Sequence, residues 1–521
     1  MPVRGKGARW RSRARSQDLV AIAMLLAALA ALAGCGSSTG ATRALVVRPG
    51  RTWSAPNADL ANTRRVLGPI DAGSVSRLRR AWSVPMLAGI TATPVIAGGV
   101  AYEQDLASNV YAIDLRSGRV RWRHDYREVD NGPNGVALGD GRVYGATPSS
   151  VFALDQASGR ELWSRRIALR EGEGVDMAPG FHDGTVFVSS VPAAGGDIGT
   201  LFALDAASGK ARWTWEQVPR SLWGHPEVNG GGGLWHPPAF DGRGALYVDV
   251  ANPVPWPGLP QAPWGTSRPG PNRWDNSIVK LDERTGRLLW GRQVLPHDVY
   301  DWDLQCPVVL ARAGGRDIAV AAGKMGFVYG FDADDGTLLW KRSVGLHNGH
   351  DGDDLAAMRG DLSVFAYGQR ILPGDWGGVQ TQLASDGRTV YVPVNDLYAV
   401  YHGQELPRQQ NLMQGTGEIV ALDVASGRVR WDRRLPHSVY GAASISSDVV
   451  FTTTYEGTLW ALSTRSGAVL WRAPLPAGSD GPPAIAGDTL VAGAGIHLAP
   501  GQPISLVAYR LAAPASAASR R

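Results

Sequence analysis

The sequence predicts an all-β fold, an eight-bladed β-propeller closed by strands from its two ends, and three observations carry that reading. One pattern, Ala-x-Asp-x-x-Ser-Gly-x-x-x-Trp, returns along the 521 residues. Its terminal tryptophans, Trp82, Trp122, Trp163, Trp213, Trp290, Trp340, Trp431 and Trp471, are spaced 40, 41, 50, 77, 50, 91 and 40 residues apart, and about 40–50 residues make one four-stranded blade. Each turn is entered from a short apolar run such as Val151-Phe152-Ala153-Leu154, which reads as a strand.

Taken in order, Trp82 closes Val75–Trp82 without a turn of its own, so the strands expected around Thr489–Val491 and Leu506–Tyr509 complete its sheet. Complete copies of the pattern end at Trp122, Trp163, Trp213 and Trp431. Variants put Lys280 in the alanine place before Trp290, Asp335 in the serine place before Trp340 and Ser463 in the aspartate place before Trp471. In each copy the aspartate can accept backbone N–H bonds and the glycine can take positive φ. A ring at a fixed place in every repeat reads as a dock between neighbouring sheets, burying about 200 Å², and a closed ring of sheets hides its edges. The two long intervals hold insertions, about 217–277 and 343–418. The first carries 11 of the 34 prolines and reads as stiff and strand-poor, covering one end of the propeller. In the second, His347-Asn348-Gly349-His350-Asp351-Gly352-Asp353-Asp354 lacks the spacing and closing glutamate of an EF-hand and reads as a solvated polar loop.

The first 34 residues read as an export leader, with basic residues from Arg4 to Arg15 before an uncharged run from Leu19 to Ala33 that is short for a membrane span. Leu32-Ala33-Gly34-Cys35 resembles a bacterial lipobox, which implies a lipid on Cys35 and a place in the cell envelope, outside the cytoplasmic membrane. Residues 35–50 then form a lipidated tether, 51–512 the propeller and 513–521 a disordered tail. Six Lys/Arg and one Asp in residues 1–34 account for the whole formal charge of +5, leaving the rest neutral and implying no nucleic-acid partner. With Cys35 acylated, Cys306 has no disulfide partner and reads as a buried apolar side chain. No Cys-x-x-Cys-His occurs, which excludes an attached c-type haem.

On the repeat and on the opening Trp53–Trp82 segment with Asp59, Asn62, Val75 and Leu78, the chain resembles the pyrroloquinoline-quinone (PQQ) dehydrogenases over nearly its whole length. Within 231–329 four segments sharpen the likeness. Gly231-Gly232-Gly233-Leu234-Trp235 is similar to the family's quinone-stacking segment, which implies Trp235 as the platform. Ala251-Asn252-Pro253-Val254-Pro255-Trp256 implies Asn252 as a metal ligand, Pro296-His297-Asp298-Val299-Tyr300-Asp301 implies Asp301 as catalytic aspartate and metal ligand, and Lys324-Met325-Gly326-Phe327-Val328-Tyr329 implies Lys324 as the cation at the quinone oxygen. Asp303 resembles the extra carboxylate of the lanthanide-using subgroup and faces with Asp301 if the segment is extended, which implies a third metal ligand. The resemblance therefore implies PQQ, a calcium or lanthanide ion acting as Lewis acid, an alcohol substrate whose proton the aspartate takes, and a separate electron acceptor.

Three features depart from that pattern. Ala194 stands where the family has a glutamate metal ligand, Thr91 lies where a glutamate is usual, and the adjacent-cysteine ring is missing. Ordinary roles also stay open: loop packing for Trp235, a turn cap for Asn252, a solvated loop for Asp298, Asp301 and Asp303, and an ion pair with one of them for Lys324. The second function class is accordingly a non-catalytic propeller lipoprotein of the BamB type that binds protein partners.

Overall fold

The computed structural model describes residues 45, 49–170, 172–192, 195–403 and 405–513; the leader, Cys35, most of the tether, Ala194 and the tail from 514 lie outside them. Among the described residues, eight blade sheets follow one another, each of four antiparallel strands, and in one of them Arg65–Val66 adds a fifth strand parallel to Ser444–Ser446. The first runs Val95–Ala97, Val100–Gln104, Val110–Asp114, Val120–His124, and the next six repeat its order. In the eighth, Leu78–Pro85 pairs antiparallel with Ser505–Leu511, joining the start of the propeller to its end as the position of Trp82 predicts.

The repeat's grammar is visible at seven joints. In the first turn Asp114 Oδ1 accepts the Ser117 N–H at 2.9 Å and Gly118 takes φ +74°. A Cβ on Gly118 would lie 2.7 Å from the Trp82 ring, so the glycine is needed both for its conformation and for its bareness. The same contact recurs between Trp122 and Gly159, Trp163 and Gly209, Trp213 and Gly286, Trp290 and Gly336, Trp340 and Gly427, and Trp431 and Gly467. Each of these seven indoles donates its N–H to a backbone carbonyl of the next sheet's turn, at 2.8–3.4 Å. The tryptophan therefore docks one sheet on the next and satisfies its own polar atom in doing so.

The opening segment runs beneath the inner strands. Backbone carbonyls of Trp53, Leu60, Ala61, Thr63 and Arg64 accept N–H bonds from Ile96, Phe240, Leu310, Ser385 and Ile445, in five different sheets. Fully buried Arg64 donates to Ala443 O at 2.7 Å, Asn57 Oδ1 at 2.8 Å and Ser444 Oγ at 3.0 Å, and lies over the Trp53 ring. Burial, with the nearby Arg64 charge, lowers His236 to about 3, leaving that imidazole neutral.

Both long intervals differ from the sequence reading. The 217–277 stretch contains the blade strands Ala239–Phe240 and Ala245–Val250 as well as a two-stranded sheet, Gly230–Gly231 with Pro253–Val254. The 343–418 stretch contains the blade strands Ala384–Ser385 and Thr389–Asp396, a short helix α1, Asp353–Met358, and a three-stranded sheet of Gln369–Ile371, Ala399–His402 and Glu405–Gln409. The polar run before α1, His347 to Gly352, is exposed or half-exposed, as a solvated loop should be, whereas Asp353 and Asp354 belong to α1 and are buried, with Tyr300 Oη donating to Asp353 Oδ2 at 2.6 Å. Cys306 is buried, as expected.

One joint is pH-sensitive. His182 Nδ1 lies 2.5 Å from Glu283 Oε1 on the next blade, and that bond raises the imidazole above its ordinary value. A raised folded-state value stabilises the fold fully below about pH 6.5 and loses that contribution as pH rises through it. His182→Gln is expected to lower the urea midpoint at about pH 5.5 and to leave it nearly unchanged at about pH 8.5.

Candidate active site

The residues singled out by sequence come together, each delivered by a different piece of chain. Gly231, Gly232 and Gly233 carry the loop to Trp235. Gly232 N–H donates to buried Asp275 at 2.7 Å, Gly233 N–H donates to Gln217, and a Cβ on neighbouring Gly199 would overlap the Gly233 nitrogen. The Trp235 indole N–H is buried without a partner.

Asn252 follows the strand Ala245–Val250, and Asp301 and Asp303 lie in a loop tied down by Asp298. Asp298 accepts the Tyr300 and Trp302 N–H groups at 2.8 and 2.7 Å, and burial raises its carboxyl to about 6. Trp302, nearly inaccessible, anchors the loop by donating to Pro373 O at 3.0 Å. Asp301 takes φ +60°, the left-handed region, so the segment is not the extended strand on which the common facing of Asp301 and Asp303 was argued. The two carboxylates converge nonetheless, because Lys324 draws both in.

Lys324 reaches the loop from the end of the strand Arg316–Ala322. Its N–H donates to Asp303 O at 2.9 Å, and Gly323 beside it leaves no room for a Cβ against that same carbonyl. Its ammonium lies 2.6 Å from Asp301 Oδ2 and 2.6 Å from Asp303 Oδ2. The remaining oxygens are bound too: Asn252 Nδ2 donates to Asp301 Oδ1 at 2.7 Å and Asn252 N–H donates to Asp303 Oδ1 at 2.8 Å. The aspartates are therefore not a solvated loop. Burial pushes the Asp301 carboxyl up and the Lys324 ammonium opposes that; burial also opposes the charge on Lys324, but the two carboxylates outweigh it and hold the lysine protonated.

Two cavities of about 460 Å³ each meet here, sharing Trp235, Asn131 and Lys324. The first is also lined by Thr91, Gln382, Tyr440, Asp375 and Trp376, and the second by Asn252, Asp301, Trp256 and Asp176. Buried polar atoms without partners line the first, among them Thr91 Oγ1, Trp235 Nε1, Thr381 Oγ1 and Gln382 Oε1.

Several wall residues were missed by the sequence reading. Asp375 and Trp376 come from the second insertion, where Gly374 and Gly377 press against backbone; that Gly-Asp-Trp-Gly run was the available signal. Burial raises Asp375 to about 6, and burial with a hydrogen bond to Asp130 raises Asp176 to about 8. Among the described residues, no group of three or more His, Cys, Asp or Glu side chains converges as metal ligands.

A family model described as the glucose/ethanol/alcohol dehydrogenase β-propeller domain matches residues 176–344, which hold Trp235, Asn252, Asp301, Asp303 and Lys324. Quinohemoprotein alcohol dehydrogenase of Comamonas testosteroni is 30% identical over 370 residues, 62% of this chain and 51% of that protein. Its crystal structure superposes with a TM-score of 0.76 at 24% identity, covering 94% of this chain and 84% of the other. The chain is thus similar in sequence and in fold to the PQQ-dependent alcohol dehydrogenase-like β-propellers. The fold is also similar to that of a europium-containing methanol dehydrogenase, with a TM-score of 0.74 at 21% identity over 91% of this chain and 100% of the other. The match to the Comamonas protein spans about half of that relative's length. A model described as outer membrane protein assembly factor BamB matches residues 274–437 and 325–512.

Proposed function

We propose that this chain is a member of the PQQ family, an oxidoreductase that binds PQQ over Trp235 and oxidises an alcohol, passing electrons to a separate acceptor. We place it outside the cytoplasmic membrane, held there by a lipid on Cys35. One observation carries the reading: Asp301, Asn252 and Lys324 form a buried hydrogen-bonded cluster that opens on the cavity sharing Trp235.

The residues fit a flat, polar, anionic ring. Trp235 offers a broad π-face, and Thr91, Thr381 and the Trp235 indole offer buried donors that lack a partner in the protein. Unmet donors of this kind favour a ligand that supplies the acceptors. The quinone, when bound, supplies the hydride acceptor. Asp301, its two oxygens held by Asn252 and Lys324, is oriented to accept the proton of a substrate hydroxyl in the second cavity. The Lys324 ammonium, already desolvated, stabilises negative charge developing on an adjacent oxygen without reorganising. Trp256, Val254, Val191 and Pro192 give that cavity an apolar wall for the alcohol's carbon chain.

Ala194, at the place of the family's glutamate, favours the BamB-type scaffold reading, and turnover decides between the two. Full-length protein reconstituted with PQQ is expected to reduce a dye acceptor with short-chain alcohols, and Trp235→Ala to lower kcat/KM by at least about tenfold through loss of a ring contact of about 1.4 kcal/mol or more. No dye reduction across an alcohol panel, with PQQ shown to be bound, would leave the scaffold reading standing.

A further inference from the structure

We infer that the Lys324 ammonium takes the place of the family's metal ion, so that this chain holds its quinone without a bound metal. The inference rests on the quinone reading above. All four oxygens of Asp301 and Asp303 face protonated nitrogens: two meet the ammonium at 2.6 Å each, one the Asn252 amide at 2.7 Å and one the Asn252 backbone at 2.8 Å. Calcium takes about 6–8 oxygen ligands at 2.3–2.6 Å. Here three carboxylate oxygens are hydrogen-bonded and the fourth, Asp303 Oδ2, is ion-paired with the ammonium at 2.6 Å without hydrogen-bond geometry, and Ala194 brings no third carboxylate.

A cation in contact with Asp301 and Asp303 would also sit beside a fixed positive charge, in a place too buried for salt to screen it. It would displace Lys324 from both partners and leave a buried ammonium unpaired, which is unfavourable. The amine already supplies what the metal would supply electrostatically. It is a positive charge lining both cavities, close to the base and to the Trp235 platform. Lys324 is 9% exposed, so its charge is largely withdrawn from bulk solvent.

Two measurements on the full chain test this. In the first, PQQ affinity is read by quenching of tryptophan fluorescence, in chelator and then in excess calcium or lanthanum. The expected Kd values agree within about twofold. A Kd weaker by about tenfold or more in chelator overturns the inference while leaving the quinone reading intact. No quenching in either buffer defeats both.

The second needs no quinone. Terbium is added alone and its tryptophan-sensitised luminescence followed. Wild type is expected to show no saturable signal; a saturable signal that calcium competes away and Asp303→Asn removes overturns the inference. Lys324→Arg, which keeps the charge, is expected to retain metal-independent quinone binding.

Discussion

Asp301→Asn is expected to lower kcat for alcohol oxidation by about a thousandfold while PQQ affinity changes little. The replacement keeps the volume and one acceptor for the Asn252 amide, and Lys324 retains Asp303 as its partner at 2.6 Å, so the loop stays anchored. What disappears is the proton acceptor facing the second cavity. Steady-state turnover with a dye acceptor, together with a separate quinone titration, separates the two effects. A variant retaining about a tenth or more of wild-type kcat removes Asp301 from the chemistry.

Trp340→Ala is expected to destabilise the propeller by about 3–5 kcal/mol. The ring is 9% exposed, sits against Gly427 and donates to Val424 O at 2.9 Å, so its loss opens a void and strands a carbonyl at the joint between two sheets. Gly427→Val is expected to damage the same joint from the other side, because the position takes φ +64° and a Cβ there would lie 2.5 Å from the Trp340 ring. Urea unfolding read by tryptophan fluorescence checks both. A shift worth less than about 1 kcal/mol for Trp340→Ala would mean that the repeat's ring is decoration on the fold and not its joint.

The joints were legible in the sequence because their physics is local and repeated. A turn aspartate, a positive-φ glycine and a tryptophan stand together in most copies, and the partner of seven of the eight rings is the same glycine one blade on. The insertions were less legible for the opposite reason. Ala245–Val250 and Thr389–Asp396 are ordinary blade strands, but the proline-rich and polar sequence around them hides their boundaries.

At the site, the identities of Trp235, Asn252, Asp301, Asp303 and Lys324 came from resemblance, and their convergence is a property of the fold. Nothing local says that Lys324 will meet Asp301 and Asp303 together, because the contact joins a strand end to a loop held by Asp298 and Trp302. Read by itself, a run of three aspartates looks solvated; its partners lie far along the chain. Asp375 and Trp376 were invisible for the same reason, being brought to the cavity by a loop whose path depends on Gly374 and Gly377.

The central claim is that the cavity over Trp235 holds PQQ beside a working base. Equilibrium titration of the full chain with PQQ, followed by quenching of tryptophan fluorescence, tests it most directly. The account predicts one saturable site per chain, weakened by at least about tenfold in Trp235→Ala. Absence of saturable binding, with chelator, calcium or lanthanide present, would contradict it and leave a propeller whose cavity serves some other ligand.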